Sequence, residues 1–215
     1  MIDPAIEPGA PDRDAVMRWR KAKRQQIIAQ RSALSSDDRL RRAAAIARHL
    51  TDALGDVQGL TVGVYWPFRG EPNLRSWMQQ IHAGGAQCAL PVVVERHAPL
   101  LFRTWWPGAP MAPGTWNIPV PADGVGVQPD IVVAPVVGFD PACYRLGYGG
   151  GFYDRTLADM ARKPLAIGVG FAMSAVATIH PLAHDIPMQF VVTENGRYPQ
   201  CQASRPTFSA ATSGR

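Results

Sequence analysis

Residues Ile131–Val137 form an unbroken apolar run with the length and β-branched content of one buried strand. Arg145-Leu-Gly-Tyr-Gly-Gly-Gly-Phe-Tyr-Asp-Arg155 follows, opening a helix-like stretch from Phe152 to about Ala161. A buried strand that turns through glycines into a helix belongs to an α/β architecture, because only helices on both faces of a sheet let its strands be apolar on both sides. Other segments repeat the alternation. Thr61–Trp66 reads as a strand and Leu74–Ala83 as a helix, while Gln87–Val94, Leu100–Trp105, Leu165–Phe171 and Phe190–Thr193 read as further strands. The Pro- and Gly-rich segment 107–126 reads mostly as loop. The expected fold is a single three-layer α/β domain with a largely parallel or mixed sheet.

Two helices precede this domain. Val16, Trp19, Ile27 and Leu34 share one side of a helix over Asp14–Leu34, with Arg20, Arg24 and Arg31 aligned beside them. Ser35 followed by Asp38 resembles a capping box, and it opens a second helix that stops at Gly55. The pair is predicted to form a basic N-terminal helical hairpin. Residues 1–13 are expected to be a flexible start and 14–195 the folded domain. The stretch 196–215, rich in Ser, Pro, Gln and Ala, is expected to be a disordered tail.

The charge of +5 is concentrated: 11 of the 22 Lys and Arg residues lie between Arg13 and Arg48. Such a surface suits a small polyanion as well as a nucleic acid, and charge alone does not separate them. Cys88, Cys143 and Cys201 are far apart and form no Cys-x-x-Cys pair, so neither a disulfide framework nor a zinc knuckle is signalled. The acid- and proline-bearing N-terminus lacks the basic start and apolar run of a secretory signal, and no apolar stretch is long enough to span a bilayer. A cytoplasmic protein is expected, with no membrane partner.

Glycines at a strand–helix junction let backbone N–H groups converge, and the helix start adds unsatisfied donors and positive potential. Gly147, Gly149, Gly150 and Gly151 occupy such a place. The run is not a Walker loop, which ends in Gly-Lys-Ser/Thr, nor a Rossmann turn, which needs glycine where Phe152 stands. Arg145 is suited to pair with a phosphate, and Asp154 in the first helical turn to hold a Mg²⁺ that bridges phosphates. An acid at a helix start is also favourable for the dipole alone. Three other groupings carry less. His180 and His184 have the spacing of a metal pair, but Pro181 lies between them and no third ligand is evident. Trp105, Trp106 and Trp116 suit stacking or, more commonly, a core. Cys143 has no adjacent His or Lys to mark it as a nucleophile.

The run Arg145–Asp154 after Phe139-Asp140 resembles the signature of the 5-formyltetrahydrofolate cyclo-ligases. The resemblance extends through Tyr65-Trp-Pro-Phe-Arg-Gly-Glu71, His184-Asp185-Ile-Pro and Val192-Thr-Glu194, covering roughly residues 17–195. It implies ATP-dependent closure of 5-formyltetrahydrofolate, with or without a polyglutamate tail, to 5,10-methenyltetrahydrofolate with release of ADP and phosphate, and ATP and Mg²⁺ as cofactors. By position, Arg20, Arg24, Arg145 and the run Gly147, Tyr148, Gly149, Gly150, Gly151, Phe152, Tyr153, Asp154 would bind ATP. Trp66, Glu71, Tyr148 and Tyr153 would bind the folate, Asp154 would hold the metal, and Arg145 and Asp154 would be catalytic.

The implied chemistry is attack by the formyl oxygen on the γ-phosphate, then closure by N10. It asks for positioning and charge neutralisation more than for a nucleophile with a base. Four positions depart from the family pattern. Cys143 and Asn117 stand where Gly is usual, Ser174 where Gln is usual, and Gln189 where an Asp can assist Mg²⁺. Within the fold the rival is a diverged paralogue that binds nucleotide or folate with weak turnover, and from another class a basic nucleic-acid-binding module.

Overall fold

The computed structural model describes residues 12–198. The elements are α1 (Arg13–Ser32), α2 (Ser36–Leu54), β1 (Thr61–Gly63), α3 (Arg75–Ala83), β2 (Gln87–Val92), β3 (Leu101–Trp105), β4 (Met111–Pro113), β5 (Pro119–Pro121), β6 (Gly126–Val127), β7 (Ile131–Pro135), β8 (Gly138–Phe139), β9 (Arg145–Leu146), α4 (Phe152–Asp159), β10 (Leu165–Val169), β11 (Phe190–Thr193) and β12 (Gly196–Tyr198).

The main sheet has the order β12-β11-β10-β7-β1-β2-β3-β6. Its interior strands β11, β10, β7, β1 and β2 are parallel, and β12, β3 and β6 add antiparallel edges. Alternation along the strands splits the core into two faces. Ile131, Val133, Ile167 and Val169 pack with Ile46 and Leu50 of α2 and Trp77 and Met78 of α3. Val132, Ala134, Ala166 and Val191 point the other way, toward Leu157 of α4 and Phe139 and Cys143 of the β8–β9 ribbon. Two helical layers around one sheet account for strands apolar on both sides. This is the expected three-layer arrangement.

Within the parallel strands, β1 has β2 on one side and β7 on the other, so the winding reverses between β1 and β7. Ligands bind beyond the carboxyl ends of strands at such a switch point. The loops after β1, β2 and β7 meet there.

The helical pair divides its work and is not simply a basic hairpin. Ser35 accepts a hydrogen bond from the Asp38 amide at 3.1 Å, and α2 ends at Gly55 with φ 67°, as expected. The apolar side of α2 lies on the sheet. By contrast, α1 crosses the loops that follow β1, β9 and β10, with Arg20, Lys23 and Arg31 buried. The basic stripe therefore faces inward.

Three further differences concern boundaries. Segment 107–126 is mostly loop but also contains the β4–β5 hairpin and the first residue of β6. Gly196–Tyr198, assigned to the tail from composition, pairs antiparallel with β11, and helix α1 begins at Arg13. The rest of the expected tail, 199–215, and residues 1–11 lie outside the described residues. Among those described, no helix is long and apolar enough to cross a membrane.

Candidate functional site

The glycine loop is pinned by arginines on its carbonyl oxygens. Arg24 Nε donates to Gly147 O at 2.6 Å and Arg155 Nη2 to Gly150 O at 2.6 Å. Gly149 has φ 97° and Gly151 φ 63°, a region that L side chains rarely adopt. A Cβ on Gly150 would lie 2.7 Å from the Phe152 ring. Gly151 starts α4 with no side-chain cap, so the first amides of that helix are left to water or a ligand. Burial, then the adjacent Arg20 cation, lowers the pKa of Arg24 despite the nearby Asp185. Positive potential is crowded here, which is what an anion would relieve.

Two hollows meet at this loop. The first has about 1000 Å³ of empty space, part of it open, and is mainly apolar: Tyr65, Trp66, Phe68, Leu90, Ile118 and Tyr153 contribute to it, with Glu71, Tyr148 and Arg145 as polar members. The second, an open groove of about 1750 Å³, runs between Glu95–His97 and Ala183–His184. Thr115, Trp116, Gly150, Gly151, Phe152 and Asp154 line both. A planar apolar ligand and a polyanionic one can thus approach each other across Gly150–Asp154.

Glu71 is 6% exposed. Its Oε2 accepts from the Phe68 amide at 2.9 Å and its Oε1 from the Tyr148 hydroxyl at 2.9 Å. Burial pushes its pKa up to about 7, against the lowering effects of Arg31 and these hydrogen bonds. The Tyr153 hydroxyl is buried with no hydrogen-bond partner, an uncompensated cost that a ligand's polar group would remove. Burial and the Glu71 charge raise the pKa of Tyr153, so it stays a neutral donor.

On the other side of the loop, Arg145 Nη2 pairs with Asp154 Oδ1 at 3.0 Å and Arg145 Nη1 donates to Ile186 O at 3.1 Å. Asp154 Oδ1 also accepts from the Ile186 amide at 3.1 Å. The two residues grip Ile186 by its carbonyl and its amide. Burial lowers the pKa of Arg145 and the Asp154 charge opposes this.

Most of the residues picked out from the sequence converge here: Trp66, Glu71, Arg145, Gly147, Tyr148 and the run Gly149–Asp154 line one or both hollows. Arg20 does not. Its Nε donates to Ile179 O at 3.0 Å, its Nη2 to His180 O at 2.8 Å, and it pairs with Asp185 at 2.5 Å, so it anchors the 179–185 segment and lines neither hollow. Gln189 lines neither hollow: its Oε1 accepts from the Ala166 amide at 2.7 Å, pairing β10 with the start of β11. Among the described residues no group of three or more His, Cys, Asp or Glu could hold a metal. Asp154, marked from the sequence for a metal, lines both hollows.

His180 has φ 52° and sits edge-on to Trp19, while His184 lines the open groove, so they form no metal pair. Cys143 has φ 62° and Asn117 φ 59°, which explains why Gly suits both positions. Ser174 is buried beside Gly138 and lines neither hollow.

Two residues stood outside the expected site, Trp116 weighed for stacking but judged more commonly core and Arg31 noted only on the basic stripe. Trp105 is core, but Trp116 is 57% exposed on the β4–β5 tip and meets the Phe152 ring edge-on at 6.1 Å. Arg31 is 1% exposed and bonds to Arg69 O at 2.8 Å and to the Tyr148 hydroxyl. Its place on the Arg20–Arg24 face was the only signal.

A profile of the 5-formyltetrahydrofolate cyclo-ligase family matches residues 16–194. The 5-formyltetrahydrofolate cyclo-ligase of Haemophilus influenzae is 29% identical over 178 residues, 77% of this chain and 95% of the relative. That of Escherichia coli is 33% identical over 144 residues, 64% of this chain and 79% of the relative. A 5,10-methenyltetrahydrofolate synthetase from Aquifex aeolicus shares the fold, with a TM-score of 0.73 at 24% identity over 91% of this chain and 99% of that one.

Proposed function

The chain belongs to the 5-formyltetrahydrofolate cyclo-ligase family, and we propose that its two joined hollows seat that reaction's two substrates, the reduced folate in the apolar cavity and ATP in the open groove. It is a ligase that converts 5-formyltetrahydrofolate to 5,10-methenyltetrahydrofolate, and its class implies ATP as the co-substrate. The observation that carries the residue assignment is the shared wall Gly150–Asp154, where a formyl oxygen on one side can approach a γ-phosphate on the other.

In this reading the pterin lies among Tyr65, Trp66 and Trp116, where flat rings favour aromatic contact. Glu71 accepts from its ring N–H groups, and the orphaned Tyr153 hydroxyl finds its partner there. Gly147, Tyr148, Gly149, Gly150, Gly151 and Phe152 shape the phosphate cradle, with Arg24 and Arg145 supplying charge. Arg20 acts at one remove, by holding the 179–185 segment. Asp154 would hold Mg²⁺, which would supply charge neutralisation for the phosphates. The protein's own part is positioning, exclusion of water and charge neutralisation, since no nucleophile with a base is present among these side chains.

Full-length protein given 5-formyltetrahydrofolate, ATP and Mg²⁺ should develop methenyl absorbance with stoichiometric ADP. Arg145→Ala and Asp154→Ala should each lower kcat/KM for ATP on the order of 100-fold, the scale of losing a charge-stabilising group. Wild-type kcat/KM in both variants would refute the assignment of the glycine loop.

A further inference from the structure

Arg31 belongs to neither hollow, yet it touches both loops that define the apolar one. It projects from α1 and is the second-largest fully buried side chain among the described residues. Its Nε donates to Arg69 O at 2.8 Å and one Nη2 hydrogen reaches Phe68 O at 3.4 Å, both in the loop that carries Glu71. The same nitrogen bonds to the hydroxyl of Tyr148, in the glycine loop, and lies 3.9 Å from Glu71 Oε1.

A phenol has one proton, and a guanidinium can only donate. The Tyr148 oxygen therefore accepts from Arg31, and its own proton goes to Glu71 Oε1 at 2.9 Å, a stronger acceptor than Phe68 O at 3.3 Å. Direction is thus set at each link, from cation through phenol to carboxylate. An arginine this deeply buried also costs desolvation, which only its partners offset.

We infer that Arg31 is a positioning residue for the ligase reaction: through Tyr148 and its own charge it orients Glu71 and favours its carboxylate form for the reduced folate, without touching either substrate. This rests on the folate assignment of the apolar cavity. It also makes Tyr148 a tie between the folate carboxylate and the phosphate loop, in place of a direct ATP contact.

The groups facing Glu71 from the packed elements are Arg31 of α1, Tyr148 of the glycine loop, Tyr65 after β1 and Tyr153 of α4. Arg31 is the sole cation among them. Burial pushes the carboxyl up to about 7 even with Arg31 in place, so loss of the relay would leave it largely protonated at neutral pH.

The test follows the Glu71 carboxyl by carbon-13 NMR in labelled full-length protein, with its resonance assigned by absence in Glu71→Gln, alongside folate kinetics across pH. The wild-type midpoint should lie near 7. Tyr148→Phe, which keeps the guanidinium in place, should raise it by about 0.5–1 unit and raise the folate KM roughly 3- to 10-fold with kcat changed less than about twofold. Arg31→Gln should move the midpoint further up, and Arg31→Lys should restore part of the shift. If Arg31→Gln does not fold, Tyr148→Phe decides alone. A folded Tyr148→Phe with midpoint and folate KM unchanged would overturn the relay. A shifted midpoint in a protein whose wild type forms no methenyl product would instead overturn the cyclo-ligase reading and leave the relay standing.

Discussion

Glu71, the proposed folate contact, is a carboxyl held against the preference of the fold. Its ordinary value is 4.5, and burial lifts it to about 7 in the native state. Between those values the native protein binds more protons than the unfolded chain, so unfolding free energy falls as pH rises through the window. The ionised carboxylate costs stability above pH 7, by up to about 3 kcal/mol if the whole shift is realised. Glu71→Gln should therefore gain on wild type as pH rises from 5 to 8 in urea melts, while losing folate affinity. A pH-independent difference between the two would show that the carboxyl is not shifted. The position of Glu71 in a loop after a strand was legible in the sequence, as was its likeness to the family motif. Its partners were not, because Arg31 and Tyr148 are 40 residues before it and 77 after it along the chain.

At the scale of elements, the glycine loop was legible because glycine identity reports directly on backbone geometry, and Gly149 and Gly151 do lie at positive φ. The β4–β5 hairpin was not. Its strands are Met-Ala-Pro and Pro-Val-Pro, three residues each, too short and proline-rich to show an alternating period. Yet its tip holds two consecutive non-glycine residues, Trp116 and Asn117, at φ 56° and 59°, the hand that suits a tight hairpin turn. Strain of this kind is kept where the surrounding structure demands it, and here it lays an indole over Phe152 at the junction of the two hollows. Trp116→Ala should cost less than about 1 kcal/mol in a urea melt, since the ring is mostly exposed, but should raise the folate KM about tenfold. An unchanged KM would remove the hairpin from the site.

For the whole molecule, the three layers and parallel interior followed from alternating apolar strands and helices, and the switch point then located the site. The inward turn of α1 did not follow, since a stripe of arginines on a helix looks the same in sequence whether it meets water or buried carbonyls. Arg20 ties α1 to Asp185, 165 residues away, with both side chains under 10% exposed. Burial alone would raise the Asp185 carboxyl, but the Arg20 hydrogen bond, the Leu182 amide and the Arg20 and His184 charges together hold it below 3.8. Its contribution is present above 3.8 and is lost as pH falls through the lower folded value. Arg20→Ala should accordingly lose about 3–5 kcal/mol at pH 7, the cost of stranding one partner of a buried pair, with the gap to wild type narrowing in strong acid. The burial of Arg31 and Glu71 has a consequence for the solution the enzyme works in. Mobile ions screen exposed charges within roughly 10 Å at 0.1 M but reach poorly into a dry interior. In the proposed assignment, recognition of the pterin through Glu71 would thereby be insulated from ionic strength, whereas the open groove beside Arg96, Arg155 and His184 would leave the grip on phosphates exposed to it.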